Sequence, residues 1–256
     1  MRLLWVVVAS ILLTGTGSQK IVASETERLP ISIGQLLVAF DQMAFRDQGK
    51  VTKWRAARTI RLSTNSVLPA EYIAVIQGTL KDLASLSGLV FQVVDDPQSR
   101  PADITLTIIS GDLRPEFGKR LYVEGFTNIF WLTQDGIIRR AEVTIRREAI
   151  ENKIAEFSRI FRHEMLHAIG LPEHAHGFDS ISSYRPKRET YSDWDRIFVS
   201  MLYTNEIVPG MSRLDGLLAA CEQLTTLKNI SYASPEPGVS QTNCDSLTGK
   251  VTSRGL

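Results

Sequence analysis

All four histidines of the chain fall within fourteen consecutive residues, His163-Glu164-Met165-Leu166-His167-Ala168-Ile169-Gly170-Leu171-Pro172-Glu173-His174-Ala175-His176. Upstream, Ile150, Ile154, Phe157, Phe161 and Ala168 recur at steps that keep one face of a helix apolar, and Gly170 ends that pattern. Residues four apart on a helix lie one above the other, so His163 and His167 can aim imidazole nitrogens at a single tetrahedral zinc ion. Glu164, one position after His163, can take a proton from water at that ion without being a ligand itself. Gly170 permits a left-handed turn that swings the chain back, so the next loop can bring a third ligand to the same place.

This pattern resembles the metzincins, whose signature His-Glu-x-x-His-x-x-Gly-x-x-His is carried here by His163, Glu164, His167 and Gly170. At the strict third-ligand position stands Glu173, with His174 one residue later. Asp179-Ser180-Ile181-Ser182-Ser183-Tyr184 resembles the metzincin Met-turn segment, with Ser182 where methionine is expected. The eight residues from His174 to Ser182 match the interval in the short-loop branch, so one residue inserted after Gly170 accounts for both offsets. On this resemblance His174 is the third ligand, with Glu173, His176 and Asp179 as alternatives. Tyr184 falls where some metzincins place a tyrosine that stabilises the tetrahedral oxyanion. Residues 54 to 205 carry the likeness. It implies a zinc endopeptidase of α+β (mixed α/β) class, a twisted mixed sheet with an antiparallel edge strand packed on an active-site helix and a backing helix. From Gly170 onward, Leu171-Pro172, Leu202-Tyr203 and Ile207-Val208-Pro209-Gly210-Met211 also resemble an uncharacterised family of exported proteobacterial proteins.

The remaining patterns order the chain. Residues 30 to 45, with Leu36, Leu37, Phe40 and Met43, suit a short amphipathic helix. Thr59 to Ser63 sets Ile60 and Leu62 on one face of a half-buried strand. Asn65 or Ser66 offers the cap of a helix that carries Tyr72, Ile73, Ile76, Leu80 and Leu83 and stops at Gly88. Phe91 to Val94 and Ala102 to Ser110 read as strands, and Asp135-Gly136 as the tight turn of a hairpin between Asn128 and Arg147. After the histidines a loop runs to about Glu189. Helices follow over Trp194 to Tyr203, with Met201 in the core, and over Leu214 to Leu227, separated by Pro209-Gly210.

The first 24 residues read as an export signal, since Arg2 precedes an apolar run from Leu3 to Leu13 and small residues follow. That run is shorter than the roughly 20 residues a membrane helix needs, so no stable anchor is expected once the signal is cleaved. The expected location is secreted or periplasmic. Residues 25–50 are then a helical lead-in, 51–230 a catalytic domain and 231–256 a tail rich in Ser, Pro, Thr and Gly. Cys221 and Cys244, the only cysteines, are available to each other in an oxidising compartment. Lys and Arg total 29 against 28 acidic residues, which supplies no long-range field for nucleic acid. The pairs Arg139-Arg140 and Arg146-Arg147 suit the solvent face of strands. The expected partner is a polypeptide substrate. A zinc-containing binding module of the cell envelope, without catalysis, is the alternative from another class.

Overall fold

Alternation at period two builds the centre of the sheet. In the strand Ile104–Ile109, Ile104, Leu106 and Ile108 are buried while the residues between them are only partly so. The neighbouring strand Ile138–Arg146 buries Ala141, Val143 and Ile145 in the same rhythm, and Ile138 joins them because the ladder slips by one residue opposite Phe130 and Trp131.

The structure is a computed structural model and describes residues 32–45, 49–56, 58–94, 102–111, 124–132, 134–183, 186 and 188–226, with 244, 246, 248 and 249. The expected signal over 1–24, Tyr184, and most of the expected tail lie outside the described residues. Along the described chain the order is α1 (Ile33–Phe45), β1 (Thr59–Thr64), α2 (Ala70–Ser87), β2 (Val90–Val93), β3 (Ile104–Ile109), β4 (Gly125–Trp131) and β5 (Ile138–Arg146). Four helices follow: α3 (Arg147–Ile150), α4 (Ile154–Ala168), α5 (Asp193–Leu202) and α6 (Arg213–Thr226). All five strands form one sheet in the order β2-β1-β3-β5-β4. Its first four strands are parallel, and β4 closes one side as an antiparallel edge strand. The protein is therefore mixed α/β, as the sequence predicts.

The histidine-bearing helix α4 lies against β4 and β5 and is backed by α2. Tyr72 stacks on Phe157 at 4.4 Å, Phe157 on Phe161 at 5.6 Å, and the Tyr72 hydroxyl donates to Ile150 O at 2.6 Å. Such ring pairs add about 0.5–1.5 kcal/mol each beyond the area they bury.

Several details differ from the sequence reading, each for a local reason. Neither Asn65 nor Ser66 caps α2. Pro69 stands at its N-cap, and Asn65 turns its side-chain oxygen to Ile108 N instead. The helical run before the histidines is broken in two, with Asn152 at φ 56 between α3 and α4, so Ile150 packs from the first piece and Ile154 is 40% exposed. The β4–β5 connection is longer than a two-residue turn. Gly136 is tucked so close to Val51 and Gly210 that a Cβ would sit 2.3 Å from Val51 O. Helix α1 is no mere lead-in, since Leu36, Leu37, Phe40 and Met43 are fully buried and Asp41 takes a two-pronged ion pair from Arg213 of α6. Cys221 on α6 is bonded to Cys244, 23 residues on, a loop closure worth about 3 kcal/mol on the chain-entropy model.

The end of α4 is held by its own closing turn and by two side chains from other elements. Leu171 N donates to Leu166 O and Gly170 N to His167 O, the paired bonds of a left-handed helix stop, with Gly170 at φ 111. Trp54 Nε1 donates to Ala168 O at 2.9 Å and the Tyr203 hydroxyl to Ile169 O at 2.7 Å. Lys53, buried beside them, reaches the carbonyls of Leu202, Thr204 and Ile207 and pins the chain after α5 to the same place. A Cβ on Gly170 would lie 2.1 Å from Thr52 O, so here the residue is required by space as well as by backbone angle. Gly170→Ala is expected to lose about 2–4 kcal/mol of folding free energy. Gly177→Ala, with φ 83 but nothing within 4 Å, should lose only about 1–2 kcal/mol. Urea unfolding of both variants checks this, and equal losses would contradict it.

Candidate metal centre

One helical turn of α4 sets His163 above His167, and the loop after Gly170 returns His174 to meet them. Nε2 of His163 lies 3.1 Å from Nε2 of His167 and 3.1 Å from Nε2 of His174. The ring centroids stand 4.7, 5.0 and 5.0 Å apart, so the three imidazoles enclose one point. Among the described residues this is the one group of three or more His, Cys, Asp or Glu whose ligand atoms all lie within 4.8 Å.

The other nitrogen of each helix histidine is spoken for. His163 Nδ1 is 2.6 Å from Ile181 O and His167 Nδ1 is 2.7 Å from Leu171 O. A carbonyl can only accept, so both Nδ1 atoms carry the proton and both Nε2 atoms present a bare lone pair to the shared point. Two lone pairs facing at 3.1 Å do not form a hydrogen bond. They are what a cation needs, and tetrahedral zinc with bonds of about 2.0–2.1 Å holds its nitrogens about 3.3 Å apart. The donor set therefore fits zinc. Burial also keeps the imidazoles in their neutral, ligating form. It lowers the pKa of His163, lowers that of His167 well below the usual range, and brings that of His174 to about 4, with neighbouring histidines adding to the effect on the last two.

Glu164 lies on the same turn, 4% exposed. Its Oε2 accepts the Thr127 hydroxyl at 2.7 Å, a hydroxyl also within 3.0 Å of Glu164 O. Burial pushes the carboxyl up to about 8, opposed by the Thr127 hydrogen bond. Oε1 points at Gly125, where a Cβ would stand only 3.0 Å away. Both residues belong to the edge strand β4, two apart and so on one face, and they form the wall against which the carboxylate rests.

The rivals for the third histidine's place are elsewhere. His176 and Asp179 are exposed, and Asp179 is paired with Arg188 at 2.8 Å. Glu173 donates its backbone N–H to Met43 O at 3.3 Å and is not part of the three-residue cluster. Ser182 follows Ile181, whose carbonyl meets His163, and is fully buried, its hydroxyl 3.8 Å from Met43 Sδ of α1. Three contributors were not singled out from sequence: Thr127, Gly125 and Asp195. The last, fully buried at the start of α5, accepts from Ser180 Oγ, Ile181 N and Ser182 N. For Thr127 the period of two with Gly125 was a faint signal. For Asp195 the capping pattern Ser192-x-x-Asp195 was legible, but not its reach to the 180–182 turn.

Fold and site together define a mixed α/β protein with a buried three-histidine cluster able to hold a metal ion. The profile of a family described as protein of unknown function (DUF2927) matches residues 36–216, and the chain belongs to that family. No curated protein matches the chain. Among solved structures, archaemetzincin from Methanopyrus kandleri is similar at 12% sequence identity, over 65% of this chain and 95% of that one, with a TM-score of 0.32. A superposition that loose does not align individual residues.

The histidine environment sets a pH dependence. Below about 6.5 the unfolded chain binds protons that the folded, metal-free protein refuses at His163, His167 and His174. Their contribution is thus complete above pH 6.5 and is lost as the pH falls toward about 4, where folded His174 protonates. Glu164, raised to about 8, runs the other way and destabilises progressively above pH 4.5. In a metal-stripped Glu164→Gln protein the urea midpoint should therefore fall steadily from pH 7 to pH 4.5, and adding His174→Gln should make that fall shallower. A midpoint independent of pH would refute the assignment of three neutral imidazoles.

Proposed function

We propose that this protein is an exported zinc-dependent endopeptidase. The observation that carries the reading is the convergence of the Nε2 lone pairs of His163 and His167 with Nε2 of His174, with the buried carboxyl of Glu164 on the same helical turn. His163, His167 and His174 would hold zinc, which when bound supplies a Lewis acid for the scissile carbonyl and acidifies a water. Glu164 is the general base. Thr127 ties down Oε2 and leaves Oε1 to receive the proton of the attacking water and pass it to the departing amide nitrogen. Tyr184 is assigned to the oxyanion, by the resemblance alone.

The substrate is a polypeptide laid along β4, which among the described residues is the edge strand of the sheet and pairs with β5 on its inner side. A chain bound there passes beside Thr127 and Gly125, the two residues that touch the base. The proposed location, outside the cytoplasm, rests on the N-terminal apolar run and agrees with the Cys221–Cys244 bond.

Glu164→Ala should retain one zinc per chain and lose about 10²–10⁴-fold in hydrolysis of an unfolded protein substrate. His163→Ala and His167→Ala should lose the metal itself, as read by elemental analysis. Full turnover by Glu164→Ala would remove the mechanism. Stoichiometric zinc in a wild-type protein that cleaves no peptide would favour the non-catalytic binding module instead.

A further inference from the structure

His163 and His167 are fixed by backbone carbonyls of different kinds. Ile181 O, which accepts from His163 Nδ1, belongs to the same planar peptide unit as Ser182 N, and that N–H is shared between Asp195 Oδ1 at 3.1 Å and Ser180 Oγ at 2.9 Å, whose own hydroxyl donates to Asp195 Oδ1 at 2.8 Å. Every described peptide bond is trans, so the N–H and C=O of this unit point in opposite directions, one at the carboxylate and one at the imidazole. Leu171 O, which accepts from His167 Nδ1, is followed by Pro172, whose nitrogen has no proton to give. One histidine is therefore linked through a peptide to a buried carboxylate, and the other cannot be.

Asp195 is well placed to act in this way. It is fully buried, and its partners among the described residues are neutral donors: Ser192 N and Oγ at the start of α5, and Ser180 Oγ, Ile181 N and Ser182 N on the turn. The capping box with Ser192 at the start of α5 holds it in one orientation. An N–H donated to a carboxylate leaves more negative charge on the carbonyl of the same peptide, and hydrogen bonds in such a chain strengthen one another. The carbonyl then draws harder on the His163 Nδ1 proton, and Nε2 becomes the better electron-pair donor.

Resting on the zinc reading above, we infer that Asp195 is a positioning residue that orients and polarises His163 through the Ile181–Ser182 peptide, giving the metal one strengthened ligand and one ordinary ligand on the same helix turn. Its effect is exerted from α5, on the far side of the turn from the ion. It makes no contact with substrate.

The test compares zinc affinity, by competition with a chromophoric chelator, with the Nδ1–H proton resonances of His163 and His167 in metal-free and zinc-loaded full-length protein. In the wild type the His163 resonance should lie downfield of that of His167. Asp195→Asn should bind zinc about 10–100-fold more weakly and move the His163 resonance upfield while leaving that of His167 in place. Ser192→Ala, which weakens the α5 cap but keeps the carboxylate on the turn, should lower the melting temperature and leave zinc affinity within about twofold. Equal wild-type resonances overturn the inference, and that reading needs no variant to fold. So does an Asp195→Asn protein that binds zinc normally, or one whose loss of affinity merely tracks its loss of stability as in Ser192→Ala. A wild type that binds no zinc sinks the peptidase proposal, while the two resonances in metal-free protein still decide whether the carboxylate reaches His163.

Discussion

Neutral imidazoles whose lone pairs point at one another repel, and Nε2 of His163 faces that of His167 at 3.1 Å. Without a cation between them such a cluster persists only if each ring is held from behind. In this fold the holding groups are main-chain carbonyls delivered by two turns. The left-handed stop at Gly170 turns Leu171 O toward His167, and the turn at Ser180 to Ser182 turns Ile181 O toward His163. Trp54 and Tyr203 take the last carbonyls of α4, which keeps the helix end from fraying and so keeps the stop in register. Lys53 then ties the chain after α5 to the segment before β1 that carries Trp54.

The same logic connects the carboxylate to the sheet. A Glu on a helix has three rotatable side-chain bonds and would sweep a wide arc in solvent. Here Thr127 fixes one oxygen and the absent side chain of Gly125 makes room for the other, so the edge strand shapes both the carboxylate and the surface offered to a bound chain. Displacement of β4 moves both together. Ile160, one turn before Glu164, packs against the same glycine, which makes the wall continuous with the core of α4.

How much of this could be read from sequence depended on distance along the chain. His163, Glu164 and His167 were legible because helical periodicity is a local property, and Gly170 because a glycine after a helical run has few other uses. The parallel strands were legible from alternation in Ile60 and Leu62 and in Ile104, Leu106 and Ile108. His174 was reached by counting residues against a family pattern, and the structure brings it to the other two. What stayed hidden was whatever depends on partners far away in sequence. Thr127 meets Glu164 across 37 residues, and Trp54 meets Ala168 across 114. The break at Asn152 was hidden for another reason: Ile150 and Ile154 keep helical spacing across it, so apolar periodicity alone cannot distinguish one helix from two that share a core.

Ser182 shows how a local departure can be answered from a distance. Serine at the floor of the turn is smaller than the methionine expected there, and in a packed interior the missing volume has to be supplied by something else. Met43 of α1 reaches the spot: its sulfur lies 3.8 Å from the Ser182 hydroxyl, and its carbonyl takes the Glu173 N–H from the loop that carries His174. A flexible thioether suits such an irregular space better than a branched side chain would. The same helix is fully buried at Leu36, Leu37, Phe40 and Met43 and is locked to α6 by Asp41 and Arg213, so it holds Met43 against the turn with little room to move. Helix α1, which from sequence alone only leads into the domain, thus packs through Met43 against the turn at Ser182 and the loop that carries His174, and the turn's departure from the family pattern and the burial of α1 become two sides of one packing solution.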